Sequence, residues 1–101
     1  MSEQNQIQES GSEEFLSRQV MVVNEHGLHA RPAGKLAQAA QGYESSIMLV
    51  SDEQEVDAKS ILDILTLAAC QGSALEIRAS GSDAEQALTE LALLFENRFS
   101  E

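Results

Sequence analysis

The stretch Asn24-Glu25-His26-Gly27-Leu28-His29-Ala30-Arg31-Pro32-Ala33 decides how this chain is read. A β-branched run precedes it, and apolar residues at helical spacing follow it. The period changes from about 2 residues to about 3.6 at His29, which marks a strand–turn–helix junction. Gly27 is the turn residue. Pro32 falls in the first helical turn, where its missing N–H costs nothing. Such a helix start offers unpaired backbone N–H groups and the positive end of the helix dipole, and so favours an anion. His29 is thereby a nucleophilic nitrogen beside an anion seat. The N–H groups of Ala30 and Arg31 and the Arg31 guanidinium can each add a charge-assisted hydrogen bond of roughly 1.5–3 kcal/mol. On spacing alone a histidine at a helix start is most often a structural cap. His26, three residues earlier, reads as a solvated loop residue.

The rest of the chain follows from this junction. A first strand is expected over 18–24, short, β-branched and substantially buried. The first helix covers 30–41, with Ala33, Leu36, Ala37 and Ala40 inward and Gly42 as its C′ residue. A second strand over 45–51 turns at Asp52 and Glu53 into a short polar strand, 54–58, suited to a sheet edge. Ser60 and Asp63 match a capping box that opens a short second helix ending near Cys70. Residues 74–80 alternate apolar and polar, so one face of that strand is wet. A second capping box, Ser82 to Glu85, opens a last helix to about residue 98. Its stripe is Ala84, Ala87, Leu88, Leu91, Leu94 and Phe95. The order β-α-β-β-α-β-α predicts an α+β fold, one sheet covered on one face by three helices. Residues 1–15, polar and acidic, read as a flexible N-terminal extension, and 16–101 as the domain.

Composition narrows the function. With 101 residues there is length for one core. A net charge of −11, from 17 acidic and 6 basic residues, argues against nucleic-acid binding and for a partner with a basic docking surface. No apolar run approaches the roughly 18 residues of a membrane span, and the N-terminus has no secretory pattern. One cysteine, Cys70, excludes an internal disulfide and reads as a buried small hydrophobe. A cytoplasmic location is expected. Two histidines and one cysteine form no recognisable metal site, and no carboxylate pair stands at catalytic spacing from His29, so no cofactor or self-contained hydrolase is expected.

Gly27-Leu28-His29-Ala30-Arg31-Pro32-Ala33 resembles the active-site signature of HPr, the histidine-containing phosphocarrier family of the bacterial phosphoenolpyruvate-dependent sugar phosphotransferase system. Asp57-Ala58-Lys59-Ser60-Ile61-Leu62 resembles that family's regulatory-serine segment, and 71–81 also fits. The likeness covers about residues 17–99. It implies an open-faced β-sandwich with antiparallel strand order 1-4-2-3. It implies a phosphoryl group taken by Nδ1 of His29 from phospho-enzyme I, stabilised by Arg31, and passed to the IIA component of a sugar permease. Such a chain is a monomeric phosphotransfer component, not a stand-alone catalyst. It further implies phosphorylation of Ser60 by an HPr kinase/phosphorylase. Ile61, Leu62, Ile64, Leu65 and Leu67 are too many apolar residues for one face of a short helix, so Ile61, Leu62 and Leu65 are expected as a docking patch. The chain departs from the pattern in its N-terminal extension, in Asp63, and in Gln38 and Gln41 where basic residues are common. Its ending, 92–101, is similar to the NPr branch, whose histidine serves a nitrogen-linked regulatory relay. That branch is the first alternative. The second is a regulatory binding protein acting through Ser60 phosphorylation and contacts alone, against which the presence of His29 argues.

Overall fold

The structure, a computed structural model, describes residues 14–101. Strand β1 (Leu16–Met21) is followed by helix α1 (Ala30–Gln41), strands β2 (Ser46–Ser51) and β3 (Gln54–Asp57), helix α2 (Ile61–Thr66), strand β4 (Ala74–Ser80), helix α3 (Ala84–Glu96) and a 3-10 turn (Arg98–Ser100). The strands form one antiparallel sheet in the order β1-β4-β2-β3. This is the expected open-faced α+β architecture.

Alternation in the inner strands produces it. Leu75, Ile77 and Ala79 of β4 point to the same buried face as Ile47 and Leu49 of β2 and Val56 of β3. Ala33, Leu36, Ala37 and Ala40 of α1, Ile64 of α2, and Ala84, Ala87, Leu88, Leu91 and Phe95 of α3 close over it. Each large side chain withdrawn from water contributes roughly 1.5–3 kcal/mol. Glu76, Arg78 and Ser80 alternate onto the other, open face.

Several expectations need correction. The first strand runs over 16–21 rather than 18–24, and it is largely exposed. It is an edge strand with β4 as its one neighbour, so only Val20 packs on the core and Val22 is buried just beyond the strand. Glu14 and Phe15 also lie against β4. The Ser80 hydroxyl donates to the Glu14 carbonyl at 2.8 Å, and the Phe15 ring sits 4.8 Å from the Arg78 guanidinium. The extension expected over 1–15 otherwise lies outside the described residues. Gly42 keeps a right-handed φ of −75° and acts as the C-cap itself, so no left-handed C′ glycine is used. Helix α2 stops at Thr66, because Ala68 takes a left-handed φ of 50°. Cys70 therefore falls in a loop and is exposed, not buried.

The second capping box does not form. Asp83, not Ser82, precedes α3, and its side chain caps nothing in that helix. Its carboxylate instead accepts from the Ser45 hydroxyl and from the N–H groups of Glu44 and Ser45 at 2.9 and 3.0 Å, tying the α1–β2 loop to α3. The Ser45 hydroxyl first, then the Glu44 N–H, hold this carboxyl below the usual aspartate value against an opposing effect of burial. A depressed folded value means that the contribution is fully present above the unfolded value, about 3.9, and is lost as pH falls through the folded one. Asp83→Asn is expected to flatten the acid limb of the stability profile. Urea denaturation from neutral pH down to about pH 2 checks this, and an unchanged acid limb refutes it.

The chain ends against α1. Arg98, Phe99 and Ser100 hold φ of 56°, 54° and 63° in succession. A left-handed non-glycine residue costs about 1–2 kcal/mol. Phe99 is fully buried, edge-on to Phe95 with centroids 4.9 Å apart. Three strained residues exceed what burial of one phenylalanine supplies, about 1.5–3 kcal/mol. The conformation draws also on two hydrogen bonds, from Asn24 Nδ2 to the Arg98 carbonyl (2.9 Å) and from Lys35 Nζ to the Phe99 carbonyl (2.6 Å).

Candidate functional site

His29 is the N-cap of α1, with extended backbone (φ −77°, ψ −170°). Its side chain makes no capping hydrogen bond, so the structural-cap reading does not hold. The first bond back into the helix runs from the Ala33 N–H to the His29 carbonyl at 2.9 Å. Pro32 has no N–H, so the open end presents the N–H groups of Ala30 and Arg31.

Gly27 sets the approach to this helix. Its φ is +69°, and a Cβ there would lie 2.3 Å from the Ala69 carbonyl oxygen. The close approach lets the Leu28 N–H bond that same carbonyl at 3.0 Å while Leu28 itself is buried. The acceptor loop is thus stitched to the segment after α2. His26 is exposed, as expected, with its ring edge-on to His29 at 6.0 Å between centroids.

The residue that sequence reading missed is Glu101. Its Oε1 lies 3.6 Å from His29 Nε2, and its Oε2 lies 3.9 Å from both Arg31 Nε and Lys35 Nζ. Arg31 and Lys35 share a helix face by their four-residue spacing, but nothing local announces an acidic partner 70 residues on. A cleft of about 210 Å³ lined by Asn24, Glu25, His26, His29, Arg98 and Glu101 opens beside the ring. Asn24 is 6% exposed and joins this loop to the chain end.

Ser60 is the N-cap of α2, and its Oγ accepts from the Asp63 N–H at 3.2 Å. The Asp63 carboxylate does not reach back to Ser60 but accepts from the Asp57 N–H at 3.3 Å, so half of the capping box forms. Around α2, Ile64 and Leu67 face inward, while Ile61, Leu62 and Leu65 remain exposed at 43%, 75% and 37%. Leu65 shares a surface depression with His26, His29 and Cys70. Ile61 Cδ1 reaches to 4.0 Å from the position a Cβ on Gly34 of α1 would take. The apolar edge of α2 therefore adjoins α1, and its Leu65 end opens toward His29.

An open-faced four-stranded sheet with a histidine that caps nothing at the start of its first helix is the arrangement of the small phosphocarriers. The family model for the HPr component phosphorylation site of the phosphotransferase system matches residues 16–97. The phosphocarrier protein HPr of Xylella fastidiosa is 42% identical over 87 residues, 86% of this chain and 98% of its own. The phosphocarrier protein NPr of Escherichia coli is 37% identical over 83 residues, 81% of this chain and 92% of its own. The crystal structure of HPr from Thermoanaerobacter tengcongensis superposes with a TM-score of 0.82 at 37% identity, covering 85% of this chain and 97% of that one. The chain belongs to the PTS-HPr family, the HPr and NPr phosphocarriers of the phosphotransferase system.

Proposed function

We propose that His29 accepts a phosphoryl group from phospho-enzyme I, with phosphoenolpyruvate as source, and passes it to IIA components for sugar uptake. The observation that carries this is the His29 ring, free of any capping bond at an open helix N-terminus, with Arg31 two residues on reaching the same Glu101 carboxylate. In each transfer a nitrogen lone pair of the acceptor ring forms the bond to phosphorus. The donor's bond to phosphorus breaks, and its electron pair stays with the donor. The carrier's contribution is a nucleophile and a cradle: the Ala30 and Arg31 N–H groups and the Arg31 guanidinium meet the phosphoryl oxygens. Incubation with phosphoenolpyruvate and enzyme I should yield an acid-labile phosphate, and its absence sinks the reading.

A nitrogen-linked relay is the second reading. It is supported by the NPr relative and by the ending at 92–101. The enzyme I that labels the chain faster, that of the sugar system or that of the regulatory one, separates the two. Either relay runs in the cytoplasm, where we place this chain; no helix among the described residues is long and apolar enough to cross a membrane.

Ile61, Leu62 and Leu65 would form the apolar contact for enzyme I and the IIA components. Leu62→Glu, at a site 75% exposed, should leave stability within about 0.5 kcal/mol yet raise KM for phospho-enzyme I about tenfold. An unchanged KM in that assay removes Leu62 from the docking surface. A phosphate on Ser60 would sit at the start of α2, where its charge is tolerated, and beside the apolar docking residues, where it opposes their burial. Ser60 regulation by an HPr kinase/phosphorylase is part of the same proposal. Mass spectrometry after kinase treatment decides it, and no phosphate on Ser60 ends it.

A further inference from the structure

We propose that His26 takes up a proton as His29 is phosphorylated, so that the fraction of the chain holding phosphate rises as pH falls. The inference rests on His29 being the phosphoryl acceptor and goes beyond it, because it gives the second histidine of the loop a task in the same reaction.

The loop holds two imidazoles side by side. The Gly27 N–H bonds the Asn24 carbonyl at 3.0 Å, and Gly27 turns the chain at φ +69°. Leu28 is buried, and its N–H is fixed to the Ala69 carbonyl. His26 stands between those anchors, exposed, with its ring edge-on to that of His29 at 6.0 Å between centroids. Both rings border the cleft beside the chain end and the depression next to Leu65 and Cys70. A phosphoryl group on the His29 ring brings close to two negative charges into this neighbourhood. Imidazole is the side chain that changes charge between about pH 5 and 8. Protonated, His26 is an added cation and hydrogen-bond donor for the phosphoryl oxygens. In the transfer the His29 lone pair forms the bond to phosphorus and the donor's bond breaks. The proton on His26 comes from solvent.

The other groups around His26 do not supply this dependence. Glu25 of the loop and Glu101 of the chain end attract a proton to it, Arg98 opposes one, and Cys70 borders the depression from behind α2. These groups are present before and after transfer alike, and His29 is the one neighbour that gains charge. The phosphorylated chain therefore binds the His26 proton more tightly than the free chain. By linkage, phosphorylation is favoured as pH falls through the range in which His26 titrates, and the gain vanishes where the ring is neutral in both states. At the spacing of the two rings, close to water, it amounts to about fivefold in the equilibrium constant. The rival is a solvated ring without coupling, for which residue 26 leaves the pH profile untouched.

The test uses the full chain with His26→Gln, a neutral donor, and His26→Lys, a cation throughout the range. Each chain is equilibrated with enzyme I and its phosphorylated form from about pH 6 to about pH 8.5, and the equilibrium constant for transfer is measured. That constant is blind to docking strength, and the pH dependence of enzyme I is common to all three chains. The parent should exceed His26→Gln about fivefold near pH 6 and match it near pH 8.5, while His26→Lys keeps the excess throughout. The Cε1 proton shift of His26, near pH 7, should move toward its protonated position on phosphorylation. A parent profile parallel to that of His26→Gln overturns the inference, and so does a His26 shift that phosphorylation leaves in place. A labelled parent with either result overturns the inference alone. A parent that takes no label overturns the acceptor reading, and the inference with it.

Discussion

His29→Ala is expected to lose acid-labile labelling by phosphoenolpyruvate and enzyme I, to below about 1% of the parent rate. Removing the nucleophile of a covalent relay commonly costs several powers of ten, because the remaining groups bind the phosphoryl group without offering it a bond. His26 is no substitute. It lies in the loop three residues before the N-cap position that His29 holds, with its centroid 6.0 Å from that of His29. The variant should nonetheless fold as the parent does. The His29 side chain caps nothing, and its contact to Glu101 is a half-exposed one at 3.6 Å, worth at most about 1 kcal/mol. Loss of label with an unchanged melting temperature is thus the expected pair of results. Parent-like labelling of His29→Ala would place the phosphate on another residue.

Gly27→Ala is expected to give the largest loss of stability and to impair transfer without touching a reacting atom. The new Cβ would meet the Ala69 carbonyl oxygen at 2.3 Å and the Cys70 Cα at 3.1 Å, both backbone. Neither can swing aside as a side chain tip would, and alanine at φ +69° adds its own strain. The Leu28 N–H to Ala69 bond must lengthen or break, and the acceptor loop must lift from the segment behind α2. The cost should be about 3 kcal/mol, a fall in Tm of roughly 15 °C for a domain of this size. The kcat should fall about tenfold as the displaced ring leaves its productive geometry. Gly72→Ala is the internal control. Its φ is +90°, but nothing stands within 4 Å of the new methyl, so strain alone remains, about 1 kcal/mol. Equal effects from the two substitutions would mean that the contact at Ala69 is not what demands glycine at position 27.

Legibility in the sequence tracked how local the deciding interactions were. Helix α1 was readable to the residue, because its signals are a change of period, a first-turn proline and small apolar residues at helical spacing. The half capping box at Ser60 was readable for the same reason. The start and burial of β1 were not. A β-branched run looks the same whether its strand takes two neighbours or one, and the sheet order that puts β1 at an edge is a tertiary fact. The Ser82 box was misread because Asp83 found better partners at Ser45 and Glu44, 38 and 39 residues away. Cys70 reads as buried from the sequence because the apolar run of α2 continues past Thr66 and the turn at Ala68 carries no glycine to announce it.

The sequence by itself determined the element order, the α+β class, the likeness to the phosphocarriers and the candidate acceptor at His29. All of these rest on period, turn residues and a short motif, which are properties of neighbours along the chain. The tertiary structure decided what surrounds the ring. The apolar edge of α2 comes to lie beside α1, and the chain end is wound left-handed onto buried Phe99, which brings the Glu101 carboxylate to Nε2 of His29. Contacts between residues so far apart leave no periodic trace, because the core that brings them together is built by other residues.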